Sequence, residues 1–442
     1  MSFIGKKFAI LSVSLSLAAA SFGQTEIRNV VTTAVPFLRI SGDSRSGGMG
    51  DVGIALSGDA NAAQLNGARM AFVENDYGVG LSFTPWLQSL VNDIYLTNLT
   101  GYYRIKEVQT VHASLRYFSL GNVQYTDESG ANTIQVHPNE FYIDGGYARK
   151  LGKIASIDAT LRFIYSQIAP NAGTNTESVK AGIAGAADIS AMVDKVFDNK
   201  GKGNLTHELL WGLCLSNIGS KMTYTSNVTK DFLPANLGIG FGYKLHLDPK
   251  DLNTVGVYAD FNKLLVPTPN QAVGGTAGSP KGYTLSSSQA NADPITGIIK
   301  SFYDAPGGAI EEARSIIIQV GAEYYFKKMF SLRAGYFSES VYKGGRQFVT
   351  IGAGIKYSVA TLHLSYVVPT TTQRNPLDNT FSFSLAFEFK KGGLKKKPAD
   401  AASAPTDDTP PAAPTPKAKK DKQPQPVPPQ PAPGSDPDPT KQ

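Results

Sequence analysis

Cysteine is almost absent from this chain: Cys214 is the single one in 442 residues, so no internal disulfide can form. Histidine is also scarce. The five histidines (His112, His137, His207, His246 and His363) are scattered without metal-ligand spacing, and no Ser-centred elbow or H-E-x-x-H motif accompanies them. These absences leave no catalytic residue, metal ligand or cofactor-binding residue to nominate, and an enzyme is not expected. Past the first residues, no stretch approaches the roughly 20 apolar residues a membrane-spanning helix needs. A basic domain is missing too. The formal charge is +6, but Lys6, Lys7 and an excess of four positive charges after Phe389 account for it. No nucleic acid is expected as a partner.

What is present begins with an export signal. Lys6 and Lys7 precede an apolar run over 8–20, and small residues before Gln24 offer a cleavage site, so 1–23 reads as a signal peptide. No lipoprotein-type cysteine lies beside that site, so no lipid anchor is expected. Residues 24–75 form a Gly-, Ala- and Asp-rich lead-in. Residues 76–389 are strand-like, with one long interruption at 264–314. Residues 390–442 hold fourteen of the 27 prolines and read as a Lys/Pro-rich, disordered periplasmic tail. That tail is either a solvated spacer or, through Lys395–Lys397 and Lys417–Lys422, a dock for an acidic partner.

The strand region carries the main signal. In its last strand, Phe381, Phe383, Leu385, Phe387 and Phe389 alternate with Ser382, Ser384 and Ala386, a period of two with large apolar groups on one side. Similar alternation marks 77–86, 93–105, 111–120, 140–150, 154–168, 181–196, 205–217, 237–247, 254–262, 315–326, 330–338, 348–357 and 360–368. A polar inner face and an apolar outer face suit a closed barrel in lipid, where every backbone group must pair within the wall. Connections at 106–110, 151–153, 248–253, 327–329 and 358–359 are short. Those at 121–139, 169–180, 218–236, 264–314 and 369–378 are long and polar. This alternation is the asymmetry between periplasmic turns and outer loops; a soluble β-sandwich has no reason to sort its loops so. The fold expected is an all-β, antiparallel outer-membrane barrel of about 14 strands in the bacterial cell outer membrane. Tyr102, Tyr103, Tyr117, Tyr147, Tyr165, Tyr243, Tyr324, Tyr325, Tyr336 and Tyr357 fall towards strand ends, as girdle residues do.

Within this frame Gly48-Met49-Gly50-Asp51-Val52-Gly53 satisfies G-x-G-x-x-G, yet no buried strand precedes it and no βαβ unit follows. These glycines read instead as permitting close packing or positive φ. Arg116, Asp144, Asp158, Arg162, Asp188 and Arg333 face the lumen, where they either line a channel or pair with each other. Cys214 points inward as an inert small residue. In the long insertion Ile295, Ile298, Ile299, Phe302 and Tyr303 recur at helical spacing; they pack on the protein itself or meet a partner. A second outer loop offers Met222, Tyr224 and Phe232.

The residues also carry a family resemblance. Thr32–Leu38, then Asp43–Gly53, Phe83-Thr84-Pro85-Trp86-Leu87 and Leu90-Val91-Asn92-Asp93, resemble the PorV (LptO) family of type IX secretion outer-membrane proteins, which are related to FadL-type transporters. Asn66-Gly67-Ala68 departs from the family's usual Asn-Pro-Ala. The resemblance implies a lumen plug formed by the N-terminal segment, with Asp43, Arg45, Gly48, Gly50 and Asp51 in it. Asp43 and Asp51 are then expected against lumen arginines and Arg45 against lumen acids. It also implies partners: the translocon barrel, the C-terminal signal domains of secreted cargo, a sortase-like attachment complex, and outer-membrane lipid or lipopolysaccharide. Ile298, Ile299, Phe302, Tyr303, Met222, Tyr224 and Phe232 are the rim residues expected to bind them. The expected role is shuttling cargo from translocon to surface attachment complex. The alternative is FadL-type transport of hydrophobic small molecules, and a general porin is disfavoured by so long a lead-in.

Overall fold

The structure is a computed structural model and describes residues 28–88, 91–126, 129–169, 179–197, 205–225, 230–274, 282–371 and 378–391. The signal peptide at 1–23 and all but the first two residues of the 390–442 tail lie outside the described residues.

Fourteen antiparallel strands close into a barrel. They are β1 (Tyr77–Pro85), β2 (Ile94–Lys106), β3 (Gln109–Leu120), β4 (Asn139–Lys150), β5 (Ala155–Gln167), β6 (Gly182–Phe197) and β7 (Thr206–Gly219). The second half comprises β8 (Asn236–His246), β9 (Thr254–Leu264), β10 (Ile316–Phe326), β11 (Phe330–Ser338), β12 (Gln347–Tyr357), β13 (Ala360–Pro369) and β14 (Phe381–Phe389). All fourteen expected strands are present, with ends that differ from expectation by at most two residues. The seam joins β1 to β14, from Tyr77 opposite Phe389 to Phe83 opposite Phe383. No helix among the described residues is long and apolar enough to cross a membrane.

Two-residue periodicity explains the wall. On β5, Ile157, Leu161 and Phe163 are exposed outward while Asp158, Thr160 and Arg162 are buried inside. Leu161, at mid-strand, is 74% exposed. Arginine there is expected to lower barrel stability by about 2–4 kcal/mol, against about 0–1 for lysine at Ile105 near the periplasmic edge. Urea unfolding of the two variants in lipid vesicles measures the difference. Two of the expected girdle tyrosines point the other way. Tyr102 donates to Glu388 inside the barrel (3.1 Å), and Tyr325 accepts from Arg333 (3.1 Å). Their neighbours Tyr103 and Tyr324 hold the outward positions, and alternation then forces the adjacent ring inward.

The outer loops contain structure of their own. Val123–Thr126 pairs with Asn132–Val136, and Gln271–Val273 with Gly282–Thr284. The long insertion also contains three short helices, described below.

Candidate functional site

The lumen is filled by the lead-in. Its centre is α1 (Ser44–Gly47), where Asp43 accepts from the free backbone N–H groups of Arg45 (2.8 Å) and Ser46 (2.9 Å). That is N-capping, and it occupies the Asp43 carboxylate locally. The expected pairing of Asp43 with a lumen arginine is therefore corrected: the helix end is nearer. Asp51, in left-handed conformation (φ 64°), likewise meets no strand arginine as a salt-bridge partner; it lines a chamber of about 110 Å³ with Arg346 of an outer loop. Arg45 does meet a lumen acid. It grips Glu323 on β10 through Nε (3.0 Å) and Nη2 (2.9 Å) and reaches Asp59 through Nη1 (2.6 Å). Glu323 is shared with Arg333 on β11 (2.7 Å). Such bidentate, charge-assisted bonds fix geometry as well as charge.

The plug backbone lies directly on the wall. A side chain at Gly335 would reach within 2.0 Å of Met49, one at Gly212 within 2.3 Å of Ile54, and one at Gly321 within 2.6 Å of Met49. Gly48 and Gly352 meet Cα to Cβ position at 3.0 Å in both directions. Gly50 has φ +68° and lies 2.7 Å, by its added Cβ, from the Tyr336 backbone. Wall glycines on β7, β8, β10, β11 and β12 thus form a floor for residues 48–55. Polar groups complete the seat. Asp260 on β9 accepts from the N–H groups of Gly53 (2.6 Å) and Ile54 (2.9 Å), and Thr350 on β12 accepts from Gly50 (2.7 Å). Buried Arg69 donates to the carbonyls of Gly53, Leu56 and Ser57. Gly67, where the sequence departs from Asn-Pro-Ala, sits against the Asp158 carboxylate.

The remaining lumen charges expected from the sequence are held by each other or by neutral acceptors. Arg162 bonds Asp144 (2.8 Å) and Asp188 (2.9 Å), His112 bonds Asp158 (2.8 Å), and Arg116 is held by Asn98, Gln64 and the carbonyls of Phe37 and Ile40. Above them Phe37 fills an apolar socket made by inward-facing Leu96, Phe118, Tyr142 and Ile164. Cys214 is buried and unpaired. Among the described residues no group of His, Cys, Asp and Glu is arranged to hold a metal. A larger cavity of about 530 Å³ lies on the periplasmic side of the plug, lined by Asp59, Asp194, Glu208, Lys244, His246 and Glu388 among others.

The outer rim carries the exposed apolar surface. Residues between β9 and β10 form α2 (Ser287–Ala290), α3 (Pro294–Lys300) and α4 (Gly308–Arg314). Asp293 caps α3 by accepting from Thr296, with Pro294 at its first position. Ile295, Ile299, Phe302 and Tyr303 are exposed, Tyr303 at 68%, and so is Ile310 on α4. Ile298 is only half-buried. The other three rim residues expected to meet partners do not face outward. Met222 is buried beneath the loop with the Phe37 cluster. Phe232 lies under Gly297 of α3 with Lys221 over its ring (4.2 Å). Half-buried Tyr224 donates to Ser166 (2.9 Å). The insertion covers this loop, and α3 exposes its own apolar face instead.

An ionic clasp holds α4, and sequence spacing gave no sign of it. Glu311 accepts from Lys343 of another outer loop, from the Gly307 N–H (2.8 Å) and from the Asn29 amide (2.9 Å). Burial alone raises this carboxyl, but Lys343 and those donors outweigh it and hold it below its ordinary value. Because the folded group binds its proton less readily than the unfolded one, the clasp is complete above the ordinary glutamate range of roughly 4.3 and fails only as pH falls below it. Limited proteolysis within the insertion is expected to be unchanged from neutral pH down to about that value and to accelerate below it. Glu311→Gln is expected to remove the acid dependence.

A family model described as type IX secretion system protein PorV matches residues 23–271, more than half of the chain. No curated protein matches the sequence. Among solved structures, the Pseudomonas putida toluene transporter TodX is 11% identical, with 79% of this chain and 98% of that one covered at a TM-score of 0.46. A Pseudomonas aeruginosa FadL homologue is 10% identical, with 82% and 99% covered at 0.38. The Ralstonia pickettii toluene transporter TbuX is 12% identical, with 80% and 100% covered at 0.37. The matched family and the closed fourteen-stranded wall agree with each other: the chain belongs to the PorV family, and it is a bacterial outer-membrane β-barrel component of the type IX secretion system.

Proposed function

We propose that this protein is a non-enzymatic carrier: it binds the C-terminal signal domain of secreted cargo at its outer rim. From there it passes cargo from the translocon barrel to a sortase-like surface complex that joins it to lipopolysaccharide. The observation that carries this reading is the pairing of a filled lumen with exposed apolar side chains, Ile295, Ile299, Phe302, Tyr303 and Ile310, on the outer insertion. A plugged barrel has no conduit of its own, and apolar groups grouped on an outer loop favour a protein partner. The periplasmic connections offer little competing surface, since several are only two to seven residues long.

Transport of a hydrophobic small molecule is the second reading, favoured by the apolar socket around Phe37. That socket is filled by the protein's own ring, which is 1% exposed. Affinity purification from native membranes separates the two. Cargo signal domains and a translocon barrel are expected to co-purify; extractable fatty acid with neither of them refutes the carrier.

A further inference from the structure

We infer that the lead-in runs the whole length of the lumen with its upstream end at the cell surface, and that the barrel closes around it. The inference does not depend on the carrier reading. At one end, Asn29 donates its amide to Pro269 (2.9 Å) and Glu311 (2.9 Å), and its backbone N–H to Tyr342 (3.0 Å). All three partners belong to the long-loop side. Five residues on, Ala34 donates to Phe232 in another outer loop (3.0 Å). At the opposite end, Asp76 donates to Phe389 and its carboxylate meets Arg104 (2.8 Å), all at the short-turn mouth. The segment between crosses the glycine floor.

That path restricts the order of assembly. A plug whose backbone touches the wall leaves no room to thread a chain end up a finished barrel. The seam itself carries the signature. Ser384 on β14 donates to Ser82 on β1 (2.8 Å) and accepts from the Ser44 backbone N–H (2.7 Å). The strands that seal the wall therefore share a hydroxyl with the plug, and the lead-in must dock on the open sheet before β1 meets β14. Exposure at the outer mouth also makes the upstream end part of the cell-surface face, beside the insertion, where half-exposed Val30 lies.

Two experiments test this in the full-length protein. Val30→Cys, made with Cys214→Ser, is expected to react with a membrane-impermeant polyethylene-glycol maleimide on intact cells as fully as after permeabilisation. Lys327→Cys in the same background is expected to react only after permeabilisation. A Val30→Cys thiol that reacts only in permeabilised cells, or not at all in the folded barrel, overturns the path. A stably folded domain fused between the signal peptide and Arg28 is expected to abolish the heat-modifiable barrel, whereas a short flexible epitope at the same place is tolerated. A normal barrel with the fused domain in the periplasm overturns both the path and the order of closure.

Discussion

Valine at Gly50 is expected to make the barrel conduct ions without preventing its assembly. The native residue has φ +68°, and an added Cβ would fall 2.7 Å from the Tyr336 backbone, which cannot swing aside as a side chain can. Left-handed conformation costs an L-residue about 1–2 kcal/mol, and overpacking against a fixed wall typically about 1–3 more. The same shift breaks the bond from the Gly50 N–H to Thr350. The fourteen-strand ladder makes no use of this residue, and the Arg45–Glu323 pair still docks the lead-in on the sheet, so the wall is expected to close while the segment around Gly50 lifts from its floor. Planar-bilayer recordings should show raised conductance. Gly185→Val is the control: that glycine faces outward with nothing within 4 Å, and no change is expected. A folded Gly50→Val barrel as tight as the parent would mean the plug is held elsewhere.

Replacing Phe302 and Tyr303 together by serine is expected to weaken binding of cargo or translocon by at least about tenfold. Buried aromatic anchors commonly supply about 2 kcal/mol or more to an interface, and each 1.4 kcal/mol is about a factor of ten. Tyr303 is mostly exposed and Phe302 about half-exposed in the free protein, so their loss removes little internal packing. Barrel formation should be normal by heat modifiability. Phe232→Ser is the contrasting variant, because that ring supports α3 from beneath; its effect should include faster proteolysis of the insertion. Normal surface display of cargo in the double variant, with reduced fatty-acid uptake, would replace the carrier reading by the transport one.

The wall was legible because lipid asks for something a period of two records directly: apolar outward, small or polar inward. The plug's seat was not. Gly238, Gly240 and Gly242 stand at alternate inward positions of β8, yet a residue without a side chain carries no hydrophobic signal, and only the plug's position shows why nothing larger fits. The regular spacing of those glycines was the available clue. Arg45 was readable as an ion-pair member, since a buried guanidinium demands an acid. Asp43 was not, because a short helix began beside it and its free N–H groups took the carboxylate. Met222 and Phe232 are buried rather than exposed for a different reason. Sequence shows that they are apolar and on a loop, but it does not show that Met222 turns inward onto the Phe37 cluster, or that α3, more than sixty residues later, folds over Phe232.

The glycine floor makes the inner wall a mould of one particular main chain. Plug and wall are consequently not interchangeable parts. Grafting residues 43–56 into another barrel of the same strand number should fail wherever that wall carries larger inward residues, even with every salt bridge preserved. A successful chimera must transfer Gly212, Gly240, Gly242, Gly321, Gly335 and Gly352 along with the lead-in, and substitutions on either side are expected to be tolerated only in matched pairs.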